Sequence, residues 1–124
     1  MQAEQLRDLV MEALQDMKAV DIRALDVRGI TVLTDFMVIA SGTSDRHVKS
    51  LAHSVLDKAR EHAVRAMGIE GEQEGEWVLV DLRDVVVHVM RPQVRDFYNL
   101  EKLWSVETPV AEIALPLTAA RKRR

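Results

Sequence analysis

Apolar residues recur through the first seventeen positions at helical spacing. Leu6, Leu9, Val10, Ala13, Leu14 and Met17 fall on one stripe, with charges opposite, and this predicts an amphipathic helix. From Asp21 the period changes. Ile22, Ala24 and Leu25 to Val27 form a short strand-like run that ends at Arg28-Gly29. Phe36-Met37-Val38-Ile39-Ala40 is apolar at every position, the signature of a strand covered on both faces, and Ser41-Gly42-Thr43 stops it. Ser44 is a candidate N-cap, with Asp45 in the first turn, where the helix dipole favours an anion. Behind it Val48, Leu51, Ala52, Val55, Leu56, Ala59, Ala63 and Met67 keep the helical period, and Gly68 is the predicted stop.

Glu70, Glu72, Glu74 and Glu76 alternate with Gly or Gln and predict an exposed acidic loop. Trp77 to Leu82 and Val85 to Met90 are β-rich runs joined through Arg83-Asp84, which predicts a hairpin without an Asn-Gly or Asp-Gly turn. After Pro92 a short helix is expected, with Phe97, Leu100, Leu103 and Trp104 on one side. This places a single domain in residues 1–106. Residues 107–124, with Pro109, Pro116 and the closing Arg121-Lys122-Arg123-Arg124, read as a flexible basic tail. The order of elements predicts a sheet covered by helices, of the α/β or α+β class.

Charge changes the picture of what such a domain binds. The chain has 124 residues and a net charge of −3, but its last four residues are all basic. The preceding 120 carry 13 Lys and Arg against 20 Asp and Glu, a net −7. An acidic body is a poor general nucleic-acid binder, because phosphate contacts need clustered Lys and Arg, and it suits a basic partner better. With no cysteine, there are no disulfides, thiolate metal sites or cysteine nucleophiles. No apolar run is long enough to span a bilayer, and the acidic first helix is unlike a targeting peptide. A cytoplasmic protein is expected.

Candidate chemistry starts at Ser41-Gly42-Thr43-Ser44, a small-residue turn that can hold phosphate on backbone N–H groups at a helix N-terminus. No Walker motif is present. A nucleotidyltransferase would also need paired carboxylates on the next strand, and Asp81 and Asp84 have an odd spacing that points them to opposite faces. His47, His53 and His62 lack the i, i+4 spacing of a helical zinc pair, and His88 stands alone in a Val-rich strand. No metal, cofactor or catalytic residue is expected. The scarce aromatics are more telling. Adjacent helical residues differ by about 100°, so Phe97 and Tyr98 cannot share one core line. If Phe97 is core, Tyr98 turns outward, and with Trp77 it either anchors an interface or flanks the core.

Three stretches together carry a family likeness. Thr34 to Ser44 with Arg46-His47-Val48-Lys49 is the first; Glu72 to Gly75 followed by Trp77-Val78-Leu79-Val80-Asp81 and Asp84-Val85-Val86-Val87-His88-Val89 is the second. Arg95-Asp96-Phe97-Tyr98-Asn99-Leu100-Glu101-Lys102-Leu103-Trp104 completes them. In this order they resemble the ribosomal silencing factor, or Iojap-like, family over residues 4–106. The resemblance implies a single α/β domain, a mixed sheet covered by helices with nucleotidyltransferase-like topology and no catalysis. It implies binding to the large ribosomal subunit through the universal protein L-fourteen, blockage of small-subunit joining and reduced translation when nutrients run short. The family's partner surface carries over to Trp77, Val78, Asp81 and Tyr98, with His88, Arg95 and Asn99 as neighbours. Relatives can self-associate, so free molecules have a homodimer open to them as well as a monomer, and the sequence does not choose between the two. Arg121, Lys122, Arg123 and Arg124 would touch ribosomal RNA incidentally at most. Arg83 departs from the family, standing where many relatives have glycine. The alternative reading is a nucleotide-handling enzyme of the same fold.

Overall fold

The structure, a computed structural model, describes residues 1–103. Five strands, β1 (Val20–Asp26), β2 (Phe36–Ser41), β3 (Gly68–Glu70), β4 (Trp77–Asp81) and β5 (Val85–Met90), form one sheet in the order β1-β2-β5-β4-β3. β2 and β5 run parallel, and the other neighbours pair antiparallel. The helices are α1 (Ala3–Asp16), α2 (Asp45–Glu61), α3 (Pro92–Tyr98) and the single turn α4 (Leu100–Leu103). This is a mixed α/β sheet, as expected. The parallel pair needs a crossover, and the segment containing α2 is part of it.

Side-chain alternation sorts the sheet into two faces. Phe36, Val38 and Ala40 of β2, Val78 and Val80 of β4, and Val85, Val87 and Val89 of β5 pack under Leu6, Val10 and Leu14 of α1 and Val48, Leu51 and Val55 of α2. The residues between them point the other way. Met37, Ile39, Trp77 and Met90 join Val27 and Leu100 in a second cluster, with Val94 of α3 against it. Every residue of β2, β4 and β5 is buried, which accounts for their continuous apolar runs.

Ser44 caps α2 as its position suggested: its Oγ accepts from the His47 backbone N–H at 3.0 Å. The first helix is tied down at its start. Arg28 bonds Glu4 at 2.9 Å and Asp26 at 2.7 Å. The guanidinium groups of Arg28 and Arg7 each lie 4.7 Å from the centre of the buried Phe36 ring. The Glu4 carboxyl is held below its ordinary range by its own backbone N–H and then by Arg28. Asp26 is lowered by the Arg28 guanidinium and then by the Arg28 backbone N–H.

Several expectations are corrected. α2 stops at Glu61, not near Gly68, because the chain turns left-handed at Ala63 (φ 62°). There the Ala63 N–H donates to the Arg60 carbonyl and the Val64 N–H to the Ala59 carbonyl, a Schellman cap built without glycine. Gly68 instead opens β3, an edge strand absent from the sequence reading. Met17 ends the first apolar stripe exposed. The acidic segment is not exposed throughout, since Gly75 is buried against Asp45 and Lys49 of α2. The helix after Pro92 breaks at Asn99, which is left-handed (φ 49°, ψ 57°). The break resets the helical phase, so Leu100 points into the core while Phe97 does not. Trp104 and the basic tail, 107–124, lie outside the described residues.

Candidate functional site

Trp77 begins β4 directly after the acidic loop, and the loop's backbone fixes its approach. Gly71 sits at φ +80°, and a Cβ there would collide with the Trp77 carbonyl oxygen. The Arg91 N–H donates to the Glu76 carbonyl at 2.9 Å, tying this loop to the start of α3. Trp77 is 8% exposed, so it is a core residue with one edge at the surface. Its Nε1–H donates to His88 Nδ1 at 2.9 Å, a buried bond between neighbouring strands.

Beyond the indole the rings step outward. Tyr98 lies 4.8 Å from Trp77, centre to centre, and Phe97 stands edge-on to Tyr98 at 4.9 Å and 85°. Tyr98 is 38% exposed and Phe97 80%. The arrangement with Phe97 in the core and Tyr98 outside is therefore not the one adopted: Phe97 is the more exposed of the two. The geometry of adjacent helical residues already required one of the pair to face out. The left-handed break at Asn99, a residue type that tolerates this conformation, leaves Phe97 at the surface.

Arg95 holds this helix in place. It is 5% exposed, and its guanidinium donates to the Asp21 carbonyl at 2.7 Å, Ser41 Oγ at 3.0 Å and both Glu101 oxygens at 3.0 and 3.1 Å. Asp21 can offer that carbonyl because the ladder slips between Val20 and Arg23, with Asp21 at φ 49°. Arg95 thus joins the edge strand β1 and its neighbour β2 to α3 and α4.

The seven residues carried over by resemblance occupy three kinds of place. Tyr98 and Asn99 are exposed. Trp77 and Asp81 reach the surface only by an edge, and Asp81 Oδ1 accepts the Arg83 N–H at 2.9 Å in the hairpin turn. Val78 and His88 present no side chain to solvent and Arg95 almost none; Val78 lies on the opposite face from Trp77, in the core beneath the long helices. What the structure brings into contact is Trp77, Tyr98 and Phe97; Asn99, Glu74, Glu76 and Asp96 are exposed and lie close to them in sequence. Stacked aromatics that open to solvent at their outer end are the kind of anchor that protein interfaces use.

The turn at 41–44 is differently occupied. The Thr43 N–H donates to His47 Nδ1 at 2.9 Å and the His47 N–H to Ser44 Oγ, so two N–H groups that a phosphate would need are already bonded. Gly42 leaves no room for a Cβ against Val48, which makes the turn tight. Among the described residues no group of three or more His, Asp or Glu side chains is placed to hold a metal ion, and no helix is long and apolar enough to cross a membrane.

Comparison with known proteins shows what the chain is similar to. Residues 1–124 match the family model described as ribosomal silencing factor during starvation. A ribosomal silencing factor of Chromobacterium violaceum is 49% identical over 109 residues, covering 88% of this chain and 89% of that protein. One from Bacillus subtilis is 41% identical over 113 residues, covering 91% and 95%. A crystal structure of a Chromobacterium violaceum protein superposes with a TM-score of 0.84 at 44% identity, covering 96% of this chain and 99% of that one.

Proposed function

Since the chain belongs to the ribosomal silencing factor family, we propose that it binds the large ribosomal subunit and, once docked, keeps the small subunit from joining. The observation that carries this reading is the stepped aromatic patch of Trp77, Tyr98 and Phe97, open at its outer end. A phenylalanine 80% exposed and edge-on to a tyrosine that rests on a buried tryptophan is an aromatic anchor of the kind interfaces use. The acidic body suits a basic ribosomal protein, and the family resemblance points to the universal protein L-fourteen as that partner. The mechanism is steric: a folded domain on the joining face occupies space that the small subunit needs. No step of catalysis is assigned, and the small-residue turn serves as a helix cap.

In free molecules the same aromatic patch is the surface we assign to self-association, so homodimer and ribosome complex exclude each other. Cosedimentation through sucrose gradients with separated subunits tests the reading. The protein should travel with large subunits and not with small ones, and should lower the yield of joined ribosomes. Migration with neither subunit, or with joined ribosomes at undiminished yield, would contradict it.

A further inference from the structure

We propose that His88 is a positioning residue for the docking surface: it sets the orientation of the Trp77 indole, and through it the stance of Tyr98, without meeting the partner itself. This rests on the docking reading above.

His88 is fully buried in a strand otherwise made of Val and Met. Its direct neighbours across the sheet are Ile39 on β2 and Leu79 on β4. An aliphatic side chain would fill such a position without burying polar atoms, which is costly unless they are bonded. The indole N–H has no lone pair and can only donate, so His88 Nδ1 accepts and the ring's hydrogen sits on Nε2. Trp77 is opposite Met90 in the ladder, so it reaches His88 diagonally. An indole turned over would point its N–H elsewhere, and the bond selects one face for Tyr98 to rest on. The ring contacts then run without a gap from His88 to Trp77 at 5.8 Å, to Tyr98 at 4.8 Å and to Phe97 at 4.9 Å. Only the outer part of this series is accessible.

The test uses the full chain, purified large ribosomal subunits and three substitutions. His88→Asn keeps an acceptor near the place of Nδ1; His88→Gln moves it toward Nε2; His88→Phe keeps a ring and removes it. The spectroscopic signature is hydrogen exchange of the Trp77 indole N–H, assigned with Trp104→Phe. The Asn variant should keep a protected indole and bind within about threefold of the wild-type chain. The Gln and Phe variants should exchange quickly and bind about tenfold more weakly, the scale of one net hydrogen bond, even where all variants melt alike. If Gln does not fold, Phe carries the comparison. Affinity that follows melting temperature and ignores indole protection would overturn the proposal. So would normal binding by a variant whose indole has lost protection. Tyr98→Ala, measured alongside, separates the two readings. Normal binding by Tyr98→Ala overturns the docking surface itself and this proposal with it. Weak binding by Tyr98→Ala with normal binding by His88→Gln and His88→Phe overturns only the role of His88.

Discussion

Trp77 and Tyr98 touch, yet truncating them should have different consequences. Trp77 is packed among Met37, Ile39 and Met90, so Trp77→Ala should cost about 3 to 5 kcal/mol of stability as well as binding. Tyr98 and Phe97 lie on the outer part of the patch. Their alanine variants should keep the urea midpoint within about 0.5 kcal/mol, while Tyr98→Ala binds large subunits roughly thirtyfold more weakly. Urea titration and subunit binding on the same three variants check this, and a well-folded Trp77→Ala would show that the ring is not part of the core. A second residue is legible against its backbone. Arg83 holds φ 73° in the β4–β5 turn, a conformation that favours glycine. Arg83→Gly should therefore raise stability by about 0.5 to 1 kcal/mol, the left-handed strain less the entropy glycine loses. A lower urea midpoint would mean that the Arg83 contact with Met67 Sδ outweighs the strain.

At the level of elements, what could be read from the sequence was whatever apolar periodicity controls. The period-3.6 stripes located α1 and α2, and the unbroken runs located β2, β4 and β5. Helix ends were harder, because this chain makes left-handed turns with Lys18, Ala63 and Asn99 as well as with glycine. Ala63 hid the end of α2 and Asn99 the phase break that exposes Phe97. β3 is three residues on a sheet edge, too short to show a period. Of the site, Trp77 and Tyr98 were legible by scarcity and by resemblance. The inward roles of Arg95 and His88 were not, since they depend on bonds to Asp21, Ser41 and Trp77, remote in sequence. One element carries a pH prediction. Glu4 and Asp26 are lowered beside Arg28, so their contribution is present above the ordinary carboxylate range and is lost as pH falls below about 4. The urea-midpoint difference between wild-type and Arg28→Met chains should shrink over that acid range. A difference constant with pH would assign the role of Arg28 to its packing on Phe36.

The whole molecule presents an aromatic patch on an acidic body, and these two features act on different steps of binding. The acidic charge of the body steers encounter, so added salt should slow association with large subunits more than it speeds release. Stopped-flow binding across a salt series reads both rates; an association rate indifferent to salt would leave recognition to the aromatic contacts alone. The central claim is that docking through this patch keeps subunits apart, and light scattering during subunit joining tests it most directly. Large subunits preincubated with the wild-type chain should join small subunits more slowly and to a lower final extent, in proportion to the fraction occupied, and Tyr98→Ala at the same concentration should leave joining near its uninhibited course. Undiminished joining by large subunits shown to carry the wild-type protein would contradict the account.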